Sequence, residues 1–145
     1  MGWYITDGPI VGQWVAGVLE SKYHEENSQA IGLVRDDEFA AGVIYENYNG
    51  KSIVCHIAIE GRLTKQYLKY IFFYPFKTCG VNKIIAPVNS VNTKSIKLVE
   101  NMGFTEESRI KDAAPNGDII IYTMLECNCR FINYGQKFTK STASS

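Results

Sequence analysis

The chain has 145 residues, of which 46% are hydrophobic and 21% are charged, values typical of one folded domain with a sizeable core. Fifteen basic residues balance fifteen acidic ones, and this neutrality argues against a nucleic-acid partner, which would normally require a basic surplus. No apolar run is long enough to cross a membrane as a helix, and no secretory signal pattern opens the sequence, so we expect no membrane partner.

The first half of the sequence predicts one helix followed by three strands. Asp7 caps the helix, and Pro9 lies in its first turn, where the missing N–H of proline costs nothing. The strands are predicted over residues 30–34, 39–48 and 52–60. Asn49-Gly50 predicts a two-residue hairpin turn between the second and third strands. The third strand is mostly apolar, so we place it at the centre of the sheet.

A second helix, a fourth strand and a closing hairpin are predicted in the remaining sequence. The helix opens at Gly61 and runs to about Thr78, and we expect Pro75 to kink or split it, because proline removes a backbone hydrogen bond. A strand follows over residues 82–88, and the last two strands form a hairpin that turns at residues 114–117.

The segment between these elements, residues 92–104, predicts a third, well-delimited helix. The side chain of Asn92 can accept a hydrogen bond from a free amide of the first turn. Gly103 ends the helix at a position that favours a left-handed backbone. Apolar residues recur at helical spacing between them. They are Ile96, Leu98, Val99 and Met102.

This arrangement resembles the GNAT superfamily of acetyl-CoA-dependent N-acetyltransferases. The late motif of that family is a strand, then Asn-x-x-Ser or Asn-x-x-Ala on a helix, then an acidic residue and Gly-Phe. The matching residues here are Asn92, Ser95, Glu100, Gly103 and Phe104. The stretch that follows, up to Met124, is similar to the branch that acetylates ribosomal-protein N-termini and to its small bacterial and phage relatives. The resemblance covers residues 53–125.

The resemblance implies an α/β (α+β) fold with flanking helices. Its central sheet is mixed and mostly antiparallel, and two neighbouring parallel strands splay apart. Pro87 suits such a strand, because it cannot donate a hydrogen bond to a neighbour. We expect this domain to span residues 1–132. Residues 133–145 are polar and rich in serine and threonine, which predicts a disordered tail.

The resemblance also implies acetyl-CoA as the cofactor. Its pyrophosphate would lie at the start of the helix after the central strand, where free amides and the helix dipole favour an anion. The pantetheine arm would lie between the splayed strands. The implied cofactor-binding residues are Ile57, Ala58, Ile59, Gly61, Arg62, Thr64, Lys65, Asn89, Asn92 and Ser95. The family's usual loop, Arg or Gln, two residues, Gly, one residue, Gly or Ala, is absent from this sequence.

The implied reaction is direct attack of a neutral primary amine on the thioester, which requires a general base. Strand alternation puts His56 and Glu60 on one face of the central strand. Imidazole titrates nearer to neutral pH than a carboxylate does, whereas Glu60 lies nearer the cofactor loop, so both are candidates. Many family members protonate the leaving thiolate with a tyrosine, but Val99 occupies that position. Ser95 or water is then the proton source, or the thiolate leaves unassisted.

The cysteines and histidines do not predict a metal site. Cys55 and Cys79 lie in apolar runs, which is typical of buried free thiols. Cys127 and Cys129 form an isolated Cys-x-Cys pair, whereas a zinc site needs four ligands at a compatible spacing. Reduced thiols of this kind favour a cytoplasmic location.

Two functions from different classes remain open. The first is an N-acetyltransferase that acts on a primary amine of a protein or a small molecule. The second is a catalytically weak protein of the same fold that binds acyl-CoA or a protein partner without turnover, which the atypical loop and Val99 favour. Several aromatic residues are candidates either for the acceptor cleft or for the core, and exposed aromatic residues in the first predicted hairpin would suit a homodimer. They are Trp3, Tyr4, Trp14, Tyr45 and Tyr48.

Overall fold

The computed structural model describes residues 2–132, which form a mixed seven-stranded sheet with helices packed on it. The strands are β1 Trp3–Asp7, β2 Ser28–Arg35, β3 Glu38–Glu46, β4 Ser52–Ile59, β5 Lys83–Asn89, β6 Thr105–Ala114 and β7 Gly117–Leu125. The helices are α1 Pro9–Val18, α2 Lys65–Phe73 and α3 Thr93–Met102. Short 3-10 turns cover Glu25–Asn27 and Glu126–Asn128. The predicted disordered tail, residues 133–145, lies outside the described residues.

Neighbouring strands follow the order β1-β2-β3-β4-β5-β7-β6. Within this sheet β4 and β5 are the parallel pair, and the other neighbours are antiparallel. These pairings confirm the predicted α/β (α+β) class with a mixed, mostly antiparallel sheet. Strand β1 was not predicted. It is a short edge strand with exposed or half-buried residues, so its hydrophobic pattern is too weak to identify it.

The two parallel strands pair only where they begin. Residues 52–54 of β4 pair with residues 83–85 of β5, and no pairing continues beyond them. On its other side β4 pairs with β3 as far as Ile59, and β5 pairs with β7 as far as Asn89. Each parted strand is therefore held by its outer neighbour, and a wedge opens between residues 55–59 and residues 86–89. The predicted splay of parallel strands is confirmed.

The helices cover the two faces of the sheet with separate hydrophobic clusters. Val11 and Val15 of α1 pack with Ala30, Ile44 and Ala58 on one face. Helix α1 approaches closely because a Cβ at Gly42 would lie 2.5 Å from a methyl group of Val15. The larger cluster on the other face takes its side chains from α2, α3 and the strands. Its helical members include Tyr67, Ile71, Phe72, Val99 and Met102.

Helix α2 begins later than the sequence pattern predicted. It starts at Lys65, and the Thr64 Oγ1 atom caps it by accepting a hydrogen bond from the Tyr67 amide at 3.0 Å. The amides of Glu60 and Gly61 instead donate to the carbonyl of Ala40 in β3, so these two residues remain hydrogen-bonded to the sheet. Gly61 therefore precedes the helix and does not open it. The expected break at Pro75 is a π-helical turn over Tyr74–Thr78.

The predicted two-residue turn at Asn49-Gly50 is also wrong. Strand β3 ends at Glu46, because Asn47 adopts a positive φ of 55°. The Asn49 Oδ1 atom then accepts hydrogen bonds from the amides of Lys51 and Ser52 at 2.9 and 2.8 Å. This side chain stabilises a longer connection, residues 47–51, in place of a tight hairpin turn.

Replacing Gly103 by alanine is expected to lower the free energy of unfolding by about 1–2 kcal/mol. The physical reason is that Gly103 ends α3 with a φ of +106°, which side-chain-bearing residues rarely adopt. The matched control is Gly17→Ala, which adds the same methyl group to α1 where no atom beyond the adjoining residues and the backbone of the helix itself lies within 4 Å. It should leave stability unchanged or raise it by up to about 1 kcal/mol. Urea unfolding measures both, and equal stability of the two variants would contradict the left-handed cap.

Candidate functional site

A cleft of about 140 Å³ lies where β4 and β5 part. Strand β4 forms one wall, β5 forms the other, and the start of α3 and the segment after α1 complete it. The lining residues from the strands are Cys55, His56, Ile57, Ala86, Pro87, Val88 and Asn89. The others are Leu19, Ser21, Asn92, Ser95 and Val99. The wedge between the strands is thus an opening that extends as far as α3.

His56 lies on the wall of this cleft and is held by a carboxylate. Its Nε2 atom lies 2.8 Å from Oε2 of Glu46. Glu46 belongs to β3 and lies two residues beyond Ile44, which pairs with His56, so the two side chains share one face of the sheet. When His56 is neutral, this contact favours a proton on Nε2 and leaves the lone pair on Nδ1. The side chain can then accept a proton at Nδ1.

Glu60, the other candidate base, does not line the cleft. It follows the end of β4, and its Oε2 atom lies 2.8 Å from Nζ of Lys94 in the first turn of α3. Both side chains are largely exposed, at 45% and 70%, so the pair contributes little to stability. The structure therefore separates the two candidates: His56 faces the cleft, and Glu60 forms an ion pair beside it.

The cap residue Asn92 and the α3 residues Ser95 and Val99 line the cleft. Asn92 caps the helix, since its Oδ1 accepts a hydrogen bond from the Ser95 amide at 3.1 Å. Ser95 and Val99 lie one turn apart on the same face of α3 and both line the cleft. Val99 carries no proton donor, so Ser95 supplies the hydroxyl on this wall.

Tyr122 and Cys55 are poor candidates for proton transfer near neutral pH. The Tyr122 hydroxyl donates to Oε2 of Glu100 at 2.7 Å, and burial together with this bond raises the pKa of Tyr122 to about 12. Burial also raises the pKa of Cys55 to about 12. Its thiol therefore stays protonated near neutral pH, and a protonated thiol is a weak nucleophile.

The loop between β4 and α2 presents positive charge and free amides. The side chains of Arg62 and Lys65 are not fully buried, and they form no ion pair within residues 2–132. The amides of Lys65 and Gln66 have no hydrogen-bond partner there either, as expected for the first turn of a helix. The Thr64 hydroxyl is already engaged as the cap. Gly61 lets the loop pass close to β3, because a Cβ at this position would lie 3.0 Å from the Cβ of Ala40.

Only part of the predicted set gathers at the cleft. His56, Ile57, Asn89, Asn92 and Ser95 line it. The side chain of Ala58 packs under α1 instead, and Ile59 packs against the larger cluster. The Asn89 side chain already makes two hydrogen bonds within the protein: it donates to the Pro115 carbonyl and accepts from the Val91 amide, both at 3.1 Å.

Some residues of the site were missed by the sequence analysis. Leu19 and Ser21, which follow α1, reach the cleft because α1 packs against β4, and no local sequence pattern predicts that contact. Glu46 reaches His56 only through the register of β3 against β4. Among the aromatic candidates, Tyr45 is buried and Trp14 packs on Phe39 with ring centroids 5.3 Å apart.

The described residues contain no group of three or more His, Cys, Asp or Glu side chains arranged to hold a metal ion. All four cysteines are free. In the same part of the chain, no helix is both long and apolar enough to cross a membrane.

Comparison of sequences alone finds no matching family model and no matching curated protein. Solved structures do match. A variant of the spermidine N-acetyltransferase SpeG from Vibrio cholerae superposes with a TM-score of 0.68 at 16% identity, over 91% of this chain and 99% of that one. The Campylobacter jejuni N-acetyltransferase PseH, in complex with acetyl coenzyme A, gives a TM-score of 0.54 at 19% identity, over 69% of each chain.

The likeness extends to a ribosomal-protein-S5-alanine acetyltransferase from Vibrio fischeri, at 17% identity and a TM-score of 0.57 over 69% of this chain. The chain spans 62% of the length of that protein, and also 62% of a "Probable acetyltransferase". A Bacillus anthracis acetyltransferase of the GNAT family matches over 87% of this chain and 96% of its own, at 16% identity and a TM-score of 0.62. This chain therefore has the fold of the GNAT acetyltransferases.

Proposed function

We propose that the protein is an acetyl-CoA-dependent N-acetyltransferase that moves an acetyl group to a primary amine within a ternary complex. The observation that carries the proposal is the wedge between β4 and β5, which has unpaired strand edges on both sides and free amides beside one end. The shared fold supports it, because the PseH neighbour holds acetyl coenzyme A.

The residues around the wedge fit the parts of that cofactor. Arg62, Lys65 and the free amides at the start of α2 suit a pyrophosphate, because they combine positive charge with unpaired donors. The parted edge of β4, residues 57–59, can pair with the amides of a pantetheine arm, as an added strand would. Asn92 and Ser95 lie where the arm would end. The acetyl thioester would supply an acyl group already activated toward amines.

In the proposed mechanism, His56 and Ser95 handle the two protons of the reaction. One proton must leave the amine nitrogen as the amide bond forms, and the His56 Nδ1 atom is the acceptor. Glu46 positions the ring through its contact with Nε2 and stabilises the imidazolium that results. One proton must reach the leaving sulfur, and Ser95 can relay it from solvent. Unpaired amides on the parted strands can hold the oxyanion.

His56→Gln is expected to lower kcat about 10²- to 10⁴-fold, the usual contribution of a general base. Binding of acetyl-CoA should be unchanged, since His56 is not placed among the residues that hold the cofactor. The matched control is His24→Gln, which changes the second histidine of the chain at a position outside the cleft. Thiol release with a saturating amine measures kcat, and isothermal titration measures binding. Full activity of His56→Gln would assign the proton transfer elsewhere.

Direct transfer predicts that no acetyl group accumulates on Cys55. The raised pKa of this buried thiol, about 12, leaves almost no thiolate near neutral pH. Incubation with acetyl-CoA alone, followed by peptide mass spectrometry, should find Cys55 unmodified, and Cys55→Ala should retain the rate of thiol release. Cys127→Ala is the control at an exposed cysteine. Acetylated Cys55, together with loss of activity in Cys55→Ala, would replace the ternary complex by a covalent route.

The second candidate is a protein of this fold that binds acyl-CoA or a protein partner without turnover. Two observations favour it: Val99 lines the cleft without a proton donor, and the loop after β4 lacks the family's small residues. Isothermal titration with acetyl-CoA and thiol release across a panel of amines separate the two candidates. The panel should hold a lysine peptide, N-terminal peptides and spermidine, for which the Vibrio cholerae neighbour is named. Binding without turnover on the whole panel would favour the second candidate.

The proposal places the protein in the cytoplasm, as a bacterial or phage enzyme. We also propose a homodimer in which exposed aromatic side chains pack between two copies. The candidates are Tyr48 after the first hairpin, 57% exposed, and Trp3 and Tyr4 of the edge strand β1, 40% and 56% exposed.

A further inference from the structure

An ion pair bridges the two walls of the wedge at its wide end. The Nζ atom of Lys94 lies 2.8 Å from the Oε2 atom of Glu60. Glu60 directly follows β4, and Lys94 lies in the first turn of α3, the helix that follows β5. The strands do not pair beyond residues 54 and 85, so this contact joins the walls where their backbones have parted. Neither residue lines the cleft itself.

One partner of this pair is anchored, whereas the other is a long side chain that is free to turn. The Glu60 amide donates to the Ala40 carbonyl at 2.8 Å, which ties the backbone of this residue to β3. The Lys94 side chain is 70% exposed, and its flexible stem lets the ammonium group reach another anion without any movement of α3. Because an exposed ion pair contributes little to stability, a change of partner disturbs the fold little.

The position of Lys94 is unfavourable for α3 taken alone. A cation in the first turn of a helix opposes the helix dipole, and α3 has no acidic residue in its first turn to balance this charge. Glu60 supplies the balancing charge from outside the helix. Helix stability therefore does not account for Lys94, whereas an anion that approaches the wide end of the wedge does.

The two segments that flank the wide end carry a surplus of positive charge. Residues 60–65 and 92–97 contain one acidic residue, Glu60, and four basic residues, Arg62, Lys65, Lys94 and Lys97. Glu60 neutralises one of these, because it pairs with Lys94. A phosphate group is at least as negative as a carboxylate, so the phosphates of a bound cofactor would compete with Glu60 for this lysine.

We infer that Lys94 changes its partner when acetyl-CoA binds: its ammonium group leaves the Glu60 carboxylate and pairs with a phosphate of the cofactor. Glu60 is then a competing anion that weakens cofactor binding, and it is not the general base. The inference rests on the proposed transferase function, to which it adds one cofactor-binding residue and one residue that opposes binding. The pyrophosphate and the 3′-phosphate of the cofactor offer Lys94 the same chemistry.

Isothermal titration with acetyl-CoA at one fixed ionic strength tests the exchange. Lys94→Gln should raise the Kd about five- to tenfold, because it removes an ammonium–phosphate pair. Glu60→Gln should lower the Kd about three- to fivefold, because the lysine is then free. In a Lys94→Gln background the same change should lower the Kd by less than about twofold, because no lysine remains to be released. The matched control is Lys83→Gln, which breaks a similar ion pair with Glu107 at the opposite end of β5 and should leave the Kd unchanged.

Titration with dephospho-coenzyme A, which lacks the 3′-phosphate, identifies the phosphate group that Lys94 contacts. If Lys94→Gln weakens the binding of coenzyme A and of dephospho-coenzyme A by the same factor, the partner is the pyrophosphate. If it weakens the binding of coenzyme A alone, the partner is the 3′-phosphate. Both results support the exchange.

A Kd that rises in both single variants would overturn the inference, because the ion pair would then only hold the site together. An unchanged Kd in Glu60→Gln would overturn it as well, and so would an equal effect of Glu60→Gln with and without Lys94, which indicates simple charge repulsion. A kcat about 100-fold lower in Glu60→Gln would make Glu60 the general base and also overturn it.

Failure of the proposed function gives different results. Wild-type protein that binds acetyl-CoA but releases no thiol with any amine would refute the transfer step alone, and the same titrations would still decide the role of Lys94. Wild-type protein that does not bind acetyl-CoA would refute both proposals. Binding of acetyl-CoA that neither Lys94→Gln nor Glu60→Gln alters would refute only the exchange.

Discussion

The parting of β4 from β5 is the constraint on which the rest of the site depends. The two strands pair over residues 52–54 and 83–85 and then separate, while β3 and β7 hold their outer edges. Inner-edge amides and carbonyls are thereby left unpaired in the middle of a sheet, where such groups normally find partners. A cleft that can pair with an extended ligand is the direct consequence, and α3 and the segment after α1 complete its walls.

Basic and acidic side chains lie at opposite ends of β4 although the chain as a whole is neutral. Arg62 and Lys65 lie beyond the end of β4, near the wide end of the wedge, whereas Glu25, Glu26 and Glu46 line a separate recess where β4 begins. The net charge of the sequence cannot reveal this, because it sums over both ends.

The parts of the fold that local chemistry determines could be predicted from the sequence. The Asn92 cap and the left-handed Gly103 act within one turn of α3, and both occur as expected. The sequence pattern places the start of α2 at Gly61, whereas the helix begins at Lys65, after the Thr64 hydroxyl that caps it. The contact between Glu46 and His56 depends on the register of two strands, which no local pattern specifies.

Hydrogen–deuterium exchange can measure the proposed binding of a pantetheine arm as an added strand in the wedge. The parted part of β4, residues 55–59, should exchange faster than the paired strand β7 in the free protein. On addition of acetyl-CoA, peptides that cover residues 55–68 should become protected, while β1 stays unchanged. Protection confined to other regions, or none at saturating acetyl-CoA, would contradict this account of the site.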